Sequence, residues 1–262
     1  MATLDKRQES PFIKALYIGD SSTGKTGSLE SLVAAGHKLR VIDLDAGIGI
    51  LAGIISHKCP ALLSAVDYES PRDKYKTSPM GIILDGPPKA FNTAMTLLDK
   101  WPDGTSPKDW GNETILVIDS LTALGRAAYA WFDKLNPSAK DKRQVYYTAQ
   151  DAIEDFVVNV TAEEFKTNVL IISHVAYDEN RIKGYTSAIG KALGPKLPKY
   201  FNNLFLAESK GSGDNVKRVV RTVPTGVIDL KNERPFDLPK ELPLETGMAT
   251  IFSTLKGQKA NG

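Results

Sequence analysis

Apolar residues along the chain recur in short runs that alternate with segments of helical periodicity. Five runs of strand length predict strands, over residues 12–19, 39–45, 81–86, 113–120 and 168–175. Apolar positions three and four residues apart predict helices between them, over residues 26–35, 121–135 and 144–166 and in a segment ending near Trp101. Strands that alternate with helices indicate a mostly parallel, three-layer α/β domain.

The pattern changes toward the C-terminus. Runs at 204–209, 216–223 and 226–230 are typical of strands in a more antiparallel region, and residues 231–245 contain three prolines. Residues 67–79 are polar with two prolines and predict a loop, whereas 46–65 give no clear pattern. The expected organisation is a leader at 1–11, a single domain at 12–250 and a C-terminal tail at 251–262.

Composition places the chain among globular proteins. Charged residues make up 24% of the 262 positions and hydrophobic residues 42%, which excludes a wholly disordered chain. The single cysteine excludes an internal disulfide framework and fits a reducing compartment. Because no secretory signal and no run of about 18 apolar residues is visible, we expect a cytoplasmic protein without membrane spans.

A phosphate-binding motif follows the first predicted strand. Residues 19–26, GDSSTGKT, match the pattern GxxxxGK[ST] at every fixed position. Glycines let such a loop curl so that its N–H groups face phosphate oxygens, the lysine reaches the β- and γ-phosphates, and the threonine hydroxyl binds Mg²⁺. The motif thus predicts ATP and Mg²⁺ as ligands; the alternative is a glycine-rich turn without a ligand. The expected nucleotide contacts are Gly19, Asp20, Ser21, Ser22, Thr23, Gly24, Lys25, Thr26 and Gly27.

Carboxylates end two other predicted strands. Asp119 follows an apolar strand, as the second metal-binding residue of such ATPases does, so we expect it beside Thr26 at the metal. The alternative is that Asp119 or Ser120 caps the next helix. Asp45 ends the first strand after the phosphate loop and could orient water against the γ-phosphate, with Asp43 as the competing candidate. Both aspartates could instead be turn or cap residues.

The order of these motifs resembles a known family. The phosphate loop is followed by IDLD, then ILVIDS, then LIISH, then a polar loop, and finally KNER. This order is similar to the RecA-type ATPase core, and more narrowly to small phage-encoded recombination ATPases of the Sak single-strand-annealing type. The resemblance covers about residues 12–240. It implies ATP hydrolysis, single-stranded DNA (ssDNA) as partner, a ring or filament of identical subunits, and the host cytoplasm as location.

The resemblance also implies residue roles. Asp45 matches the catalytic carboxylate, although the family usually has glutamate at this position. His174 matches the polar sensor of the γ-phosphate; the alternative is a satisfied histidine at a strand end. Lys231 and Arg234 resemble the cationic element that reaches a neighbouring subunit's nucleotide, with Glu233 inserted between them.

Local charge is uneven although the whole chain has a net charge of only +2. Residues 191–221 carry a net charge of +5, and residues 145–165 carry −5. A basic stretch beside loops is typical of a surface that binds nucleic-acid phosphates. In the polar loop at 177–190, where the family places a DNA-binding loop, an aromatic ring that could stack on a base lies between cations. The alternative is a solvated loop. The candidate DNA-binding residues are Arg181, Lys183, Tyr185 and Lys191.

The sequence therefore favours an ATP-hydrolysing, ssDNA-binding recombination or annealing protein that acts as an oligomer. One alternative is a P-loop small-molecule kinase, which needs an acceptor pocket and usually an arginine-bearing lid. Another is a RecA-like helicase motor. Stimulation of ATP hydrolysis by ssDNA separates the kinase from the other two.

Overall fold

An eight-stranded sheet forms the centre of the protein in a computed structural model that describes residues 10–180 and 182–257. Its strands, in chain order, are β1 (Lys14–Gly19), β2 (Lys38–Asp43), β3 (Val66–Glu69), β6 (Gly111–Asp119), β7 (Thr167–Ser173), β10 (Asn203–Lys210), β11 (Lys217–Arg221) and β12 (Glu241–Pro243). Two hairpins lie outside this sheet, one of β4 (Tyr75–Ser78) with β5 (Gly81–Leu84) and one of β8 (Val175–Tyr177) with β9 (Gly184–Thr186).

The strand order in the sheet is β12-β11-β10-β1-β7-β6-β2-β3. The strands from β10 to β3 in this order are parallel to their neighbours, whereas β11 pairs antiparallel with both β10 and β12. The predicted fold class, a mostly parallel sheet with antiparallel strands near the C-terminus, is therefore confirmed. Because β1, β7, β6 and β2 run side by side in one direction, their carboxyl ends meet at one edge of the sheet.

Helices cover both faces of the sheet. They are α1 (Lys25–Ser28), α2 (Glu30–Ala34), α3 (Ile48–Lys58), α4 (Ala90–Asp99), α5 (Leu121–Leu135), α6 (Lys142–Thr161), α7 (Gly190–Leu193) and α8 (Leu244–Leu255). Alternation along β1 shows the two layers: Leu16 and Ile18 pack in the core with α4, α5 and α6, whereas Tyr17 packs in the core with α2, α3 and α8.

Several predicted elements agree closely with the structure. Helix α5 covers residues 121–135, as its apolar period predicted, and Ser120 caps it by accepting a hydrogen bond from the Ala123 N–H at 3.3 Å. The long helix α6 begins near the predicted residue but ends at Thr161 rather than 166, since Ala162 has an extended backbone. The run at 226–230 is not a strand: Ile228 makes only one isolated bridge, with Gly184.

Three other segments differ from the sequence expectation. Residues 46–65 contain α3, whose Leu51 and Ile55 are buried. The predicted loop 67–79 instead supplies β3 and β4, and the predicted strand at 81–86 pairs with β4 outside the main sheet. Helix α8 crosses the expected boundary at residue 250 and brings Ile251 and Phe252 into the core, so the packed chain reaches Leu255. Residues 1–9 of the expected leader and 258–262 of the expected tail lie outside the described residues.

Candidate functional site

The carboxyl edge of the sheet holds a cavity of about 560 Å³. Loops that follow β1, β2, β6 and β7 form its walls, together with one residue of β11. Its lining residues are Ser21, Ser22, Gly24, Lys25, Thr26, Gly27, Asp45, Gly47, Ile50, Asp119, His174 and Arg218. The sequence-predicted phosphate loop, metal carboxylate, water-orienting carboxylate and sensor histidine are thus brought together around one space.

The phosphate loop is a tight turn that requires glycine. Gly24 has φ of 90°, and a Cβ on it would lie 2.5 Å from Leu244 at the start of α8. Position 19 also requires glycine, because a Cβ there would lie 2.6 Å from the Ala207 carbonyl oxygen on β10. Thr23 closes the loop by donating its hydroxyl to the Asp20 carbonyl oxygen at 2.8 Å. Gly19, Asp20 and Thr23 therefore shape the loop, whereas the cavity is lined by the remaining predicted residues.

Lys25 is buried at the base of the cavity. Its Nζ donates to the carbonyl oxygens of Gly19 and Asp20, each at 2.8 Å. Burial lowers the pKa of its ammonium, and the carboxylates of Asp119, Asp20 and Asp45 oppose that shift. An anion that entered the cavity would favour the charged form of the ammonium and would offer Nζ a further hydrogen-bond acceptor.

Thr26 and Asp119 form a pair of hard oxygen ligands. The Thr26 hydroxyl donates to Asp119 Oδ2 at 2.6 Å. A Cβ on Gly47 would lie 3.0 Å from Thr26 Oγ1 and 3.1 Å from Asp119 Oδ2, so glycine keeps this corner open. Mg²⁺ takes carboxylate and hydroxyl oxygens of this kind. Burial raises the pKa of Asp119 to about 6, with the charges of Asp45 and Asp43 adding to the shift.

Asp45 lies between Ser120 and His174. The Ser120 hydroxyl donates to Asp45 Oδ2 at 2.5 Å, and His174 Nε2 lies 3.4 Å from the same oxygen. The hydrogen bond from His174 lowers the pKa of Asp45, assisted by Ser120 and by the charge of Lys25. The Asp45 side chain is therefore a carboxylate at neutral pH. Such a group can accept a hydrogen bond from water, although its low basicity makes it a weak proton acceptor.

Asp43, the competing candidate, lies outside the cavity. It is fully buried, and both of its oxygens are occupied: Oδ1 accepts from the Gly47 N–H at 2.9 Å, and Oδ2 accepts from Ser70 and Arg72. Asp43 thereby holds the loop that presents Asp45 and Gly47. Of the two residues that could cap the helix, Ser120 caps α5, whereas Asp119 accepts a hydrogen bond from Thr26.

Three residues that line the cavity were not foreseen from the sequence, namely Gly47, Ile50 and Arg218. Arg218 reaches it from β11, and its Cδ lies 3.5 Å from where a Gly24 Cβ would be. No local motif marks Arg218, because its position follows from the pairing of β11 with β10. Gly47 lies two residues after the strand-ending Asp45, and that spacing is the signal from which it could have been found.

Lys231 and Arg234 do not line the cavity of their own chain. The Lys231 carbonyl oxygen accepts from the Leu204 N–H at 2.7 Å, which anchors the segment to β10. The inserted Glu233 accepts hydrogen bonds from Asn202 and Asn203, each at 3.0 Å. Glu241 contacts Lys210 and Arg221.

The candidate DNA-binding residues lie on and near the β8–β9 hairpin. Lys183 pairs with Asp229 and Lys191 with Glu179, each at 3.2 Å, and both lysines are exposed. Tyr185 is half-buried, and its ring lies 3.1 Å from where a Cβ on Gly194 would be. Arg181 lies outside the described residues. The hairpin adjoins the phosphate loop, because the Tyr177 hydroxyl donates to Asp20 Oδ2 at 3.4 Å.

The basic stretch 191–221 is partly neutralised. Lys199 pairs with Glu154 of the acidic helix α6 at 3.0 Å, and Arg221 pairs with Glu208 at 3.4 Å. Lys210 contacts Glu241. Within residues 10–180 and 182–257, four cations of the stretch are paired with carboxylates, whereas Lys196, Lys217 and Arg218 have no ion pair. The unneutralised positive surface is therefore smaller than the sequence count indicates.

The sheet order and the cavity define the class: this is a P-loop ATPase fold with a RecA-like core. The chain belongs to the AAA domain family AAA_24, whose sequence model matches residues 12–233. Among solved structures, the chain is similar to the "Crystal structure of the RadB recombinase" at 16% identity and a TM-score of 0.50. That match covers 90% of this chain and 89% of the other, and it shows the fold.

No curated protein matches the sequence. In the part of the chain that the structure describes, no helix combines the length and the apolar character needed to cross a bilayer.

Proposed function

We propose that this protein binds and hydrolyses ATP with Mg²⁺, binds ssDNA, and acts as an oligomeric recombination or annealing protein of the phage type. The observation that carries the proposal is the convergence of Lys25, Thr26, Asp119, Asp45 and His174 on one cavity from four different strand ends. In a glycine-rich turn without a ligand, nothing would require two carboxylates and a buried lysine to surround the same space.

Binding of the nucleotide follows from the loop geometry. The phosphates would occupy the turn at Ser21, Ser22 and Gly24, and Lys25 Nζ would exchange its carbonyl acceptors for phosphate oxygens. Thr26 and Asp119 would hold Mg²⁺, which neutralises charge on the β- and γ-phosphates when bound. Because this pair and Lys25 lie side by side, the cation and the ammonium would both serve the same phosphate groups.

Hydrolysis requires a water molecule held in line with the γ-phosphate. Asp45 supplies an ionised oxygen beside His174 and Ser120, and its lowered pKa suits orientation of water better than full removal of a proton. Phosphoryl transfer passes through a loose transition state, so orientation and charge stabilisation supply most of the catalysis. His174 would sense the γ-phosphate, because it borders the cavity and contacts Asp45.

The positions of the β8–β9 hairpin and of Lys231 and Arg234 support DNA binding and assembly. The β8–β9 hairpin follows His174 directly, so a strand bound to Lys183, Tyr185 and Lys191 would lie close to the γ-phosphate. The similar RadB structure is that of a recombinase, which favours DNA over a small-molecule acceptor. Lys231 and Arg234, outside their own cavity, remain candidates to reach the nucleotide of a neighbouring subunit.

The test is ATP hydrolysis measured with and without ssDNA, together with binding of a labelled strand over a range of salt concentrations. We expect ssDNA to raise turnover and its affinity to fall with salt, since phosphate contacts release counterions. Replacing Lys183 and Lys191 with alanine should weaken binding, whereas the matched change of Lys38, on the opposite edge of the sheet, should not. Turnover that ignores DNA but depends on a small metabolite would favour the kinase alternative.

A further inference from the structure

A second cavity of about 380 Å³ adjoins the cavity around Lys25. It shares Asp45 and His174 with the nucleotide cavity, so these two side chains form the wall between the spaces. Its other walls come from the loop after β3, from β4 and from the first turns of α5. Its volume lies within the range of about 300–1,000 Å³ that is typical of small-ligand sites.

The charged groups of this second cavity are committed to partners, with one exception. Arg72 pairs with the buried Asp43 at 3.1 Å, and Asp73 caps α4 by accepting from the N–H groups of Lys89 and Ala90. Asp45 is bonded to Ser120 and His174. Across the described residues, Arg126 has neither a carboxylate partner nor a hydrogen bond and meets only the ring of Tyr75, at 5.9 Å. The cavity therefore offers one unneutralised guanidinium, which favours an anionic ligand.

An exposed aromatic ring stands beside this guanidinium. Tyr75 is 49% exposed, and Ile82, on the same face of the β4–β5 hairpin, is 77% exposed. Cross-strand pairing of Tyr75 with Leu84 and of Thr77 with Ile82 fixes that shared face. An exposed aromatic ring next to a cation matches the two parts of a nucleotide, a base that stacks and a phosphate that pairs.

We propose that the second cavity binds one nucleotide unit, with its phosphate on Arg126 and its base against Tyr75. The unit belongs either to a single strand that passes over the hairpin or to a free mononucleotide, and both present the same chemistry. Because the occupant borders Asp45 and His174, its presence would alter the positions of the groups that act on ATP; this consequence rests on the proposed ATP-hydrolysing function, whereas binding itself does not.

The test measures binding with the ATP cavity saturated by a non-hydrolysable ATP analogue, so that the probes cannot occupy it. The probes are a fluorescent oligothymidylate, followed by anisotropy, and thymidine monophosphate, followed by calorimetry. For whichever probe the wild type binds, Arg126→Gln and Tyr75→Ala should each lower the affinity by about tenfold or more. Lys134→Gln removes a cation elsewhere on α5, and Tyr75→Phe keeps the ring, so both should stay within about twofold of wild type.

If the two variants lose affinity only for the oligonucleotide, the occupant of the second cavity is a unit of a single strand. If they lose affinity only for the mononucleotide, the occupant is the free nucleotide. Equal affinity of wild type and Arg126→Gln for both probes, or no binding of either probe by the wild type, overturns the proposal. ATP turnover of the wild type without probes is measured separately. Its absence would contradict the proposed function while leaving Arg126-dependent binding in place.

Discussion

At the scale of single residues, two carboxylates in one cavity experience opposite environments. Asp119 is buried against Thr26, and its pKa rises to about 6. Asp45 receives hydrogen bonds from His174 and Ser120, and its pKa falls. Groups whose environments move their pKa values apart are suited to different tasks. Here the acid with the raised pKa adjoins the Thr26 hydroxyl, and the ionised one borders the open space of the cavity.

The raised pKa of Asp119 gives a prediction about pH. Below a pH of about 6 the carboxyl group holds its proton, and a proton competes with Mg²⁺ for the same oxygen. At sub-saturating Mg²⁺, ATP hydrolysis should therefore fall as the pH drops through this value, and added Mg²⁺ should restore part of it. The measurement is turnover on the two sides of this pKa, about one pH unit below it and one above it, over a Mg²⁺ titration. A fall at the lower pH that added Mg²⁺ leaves unchanged would contradict the assignment of Asp119.

The position of Asp45 gives a second prediction. Asp45→Asn keeps the shape of the side chain but removes the charge that orients water, so hydrolysis should slow by about 10²–10⁴-fold. Affinity for ATP, measured with a fluorescent analogue, should change little. Unchanged turnover would mean that another group orients the water. Asp43 could not contact that water directly, because it is buried outside the cavity.

At the scale of elements, α8 is one of the helices that the sequence pattern did not predict. Leu244, Met248, Ile251 and Phe252 are buried at helical spacing, but the preceding prolines drew the prediction toward irregular structure. The helix packs on β11 so closely that a Cβ on Gly247 would lie 3.0 Å from Val220. Its first residue also contacts the phosphate loop at Gly24. Helix α8 thus supports the nucleotide cavity from outside every recognised motif.

Truncating the core contact of α8 should therefore destabilise the fold. Phe252 is fully buried, and Phe252→Ala should lower the free energy of unfolding by about 3–5 kcal/mol. Thr246 is exposed on the same helix, so Thr246→Ala should change it by less than about 0.5 kcal/mol. Urea denaturation of the three proteins measures both values. Equal stability of the two variants would mean that α8 does not contribute to the folded core.

The elements that were predicted well are those whose structure is determined by residues close together in the sequence. The strand at 113–120 and the helix at 121–135 each have a strong apolar period, and a serine cap separates them. The phosphate loop was located because its chemistry requires a fixed spacing. By contrast, the apolar run at 81–86 predicted β5 but not its place outside the main sheet, where Ile82 is exposed, and its partner β4, with the sequence YKTS, carries no apolar period. Arg218 reaches the cavity through strand pairing distant in sequence, which no local pattern encodes.

At the scale of the whole molecule, the proposed site is divided between the cavity of one subunit and cations of another. Arg234→Ala should bind ATP but hydrolyse it slowly, because a cation supplied to the transition state is worth about 10³–10⁵-fold in related systems. Lys25→Ala should be inactive for a different reason, the loss of its own phosphate contact. Mixing the two variants should restore activity at interfaces that combine an intact loop with an intact cation.

The measurement is specific activity of each variant and of equimolar mixtures over a range of protein concentrations. Activity that is constant on dilution to the monomer, together with mixtures no more active than their components, would mean that each subunit is self-sufficient. The residue roles of Lys231 and Arg234 would then be wrong, although the nucleotide cavity itself would be unaffected.

The central claim is that the cavity around Lys25 binds and hydrolyses ATP, and the most direct test is Mg²⁺-dependent phosphate release by wild type, Lys25→Ala and Lys38→Ala. The two variants each lose one lysine, but only Lys25 lies in the cavity. We predict turnover by wild type and Lys38→Ala and its loss in Lys25→Ala. Near-wild-type turnover in Lys25→Ala would contradict the account.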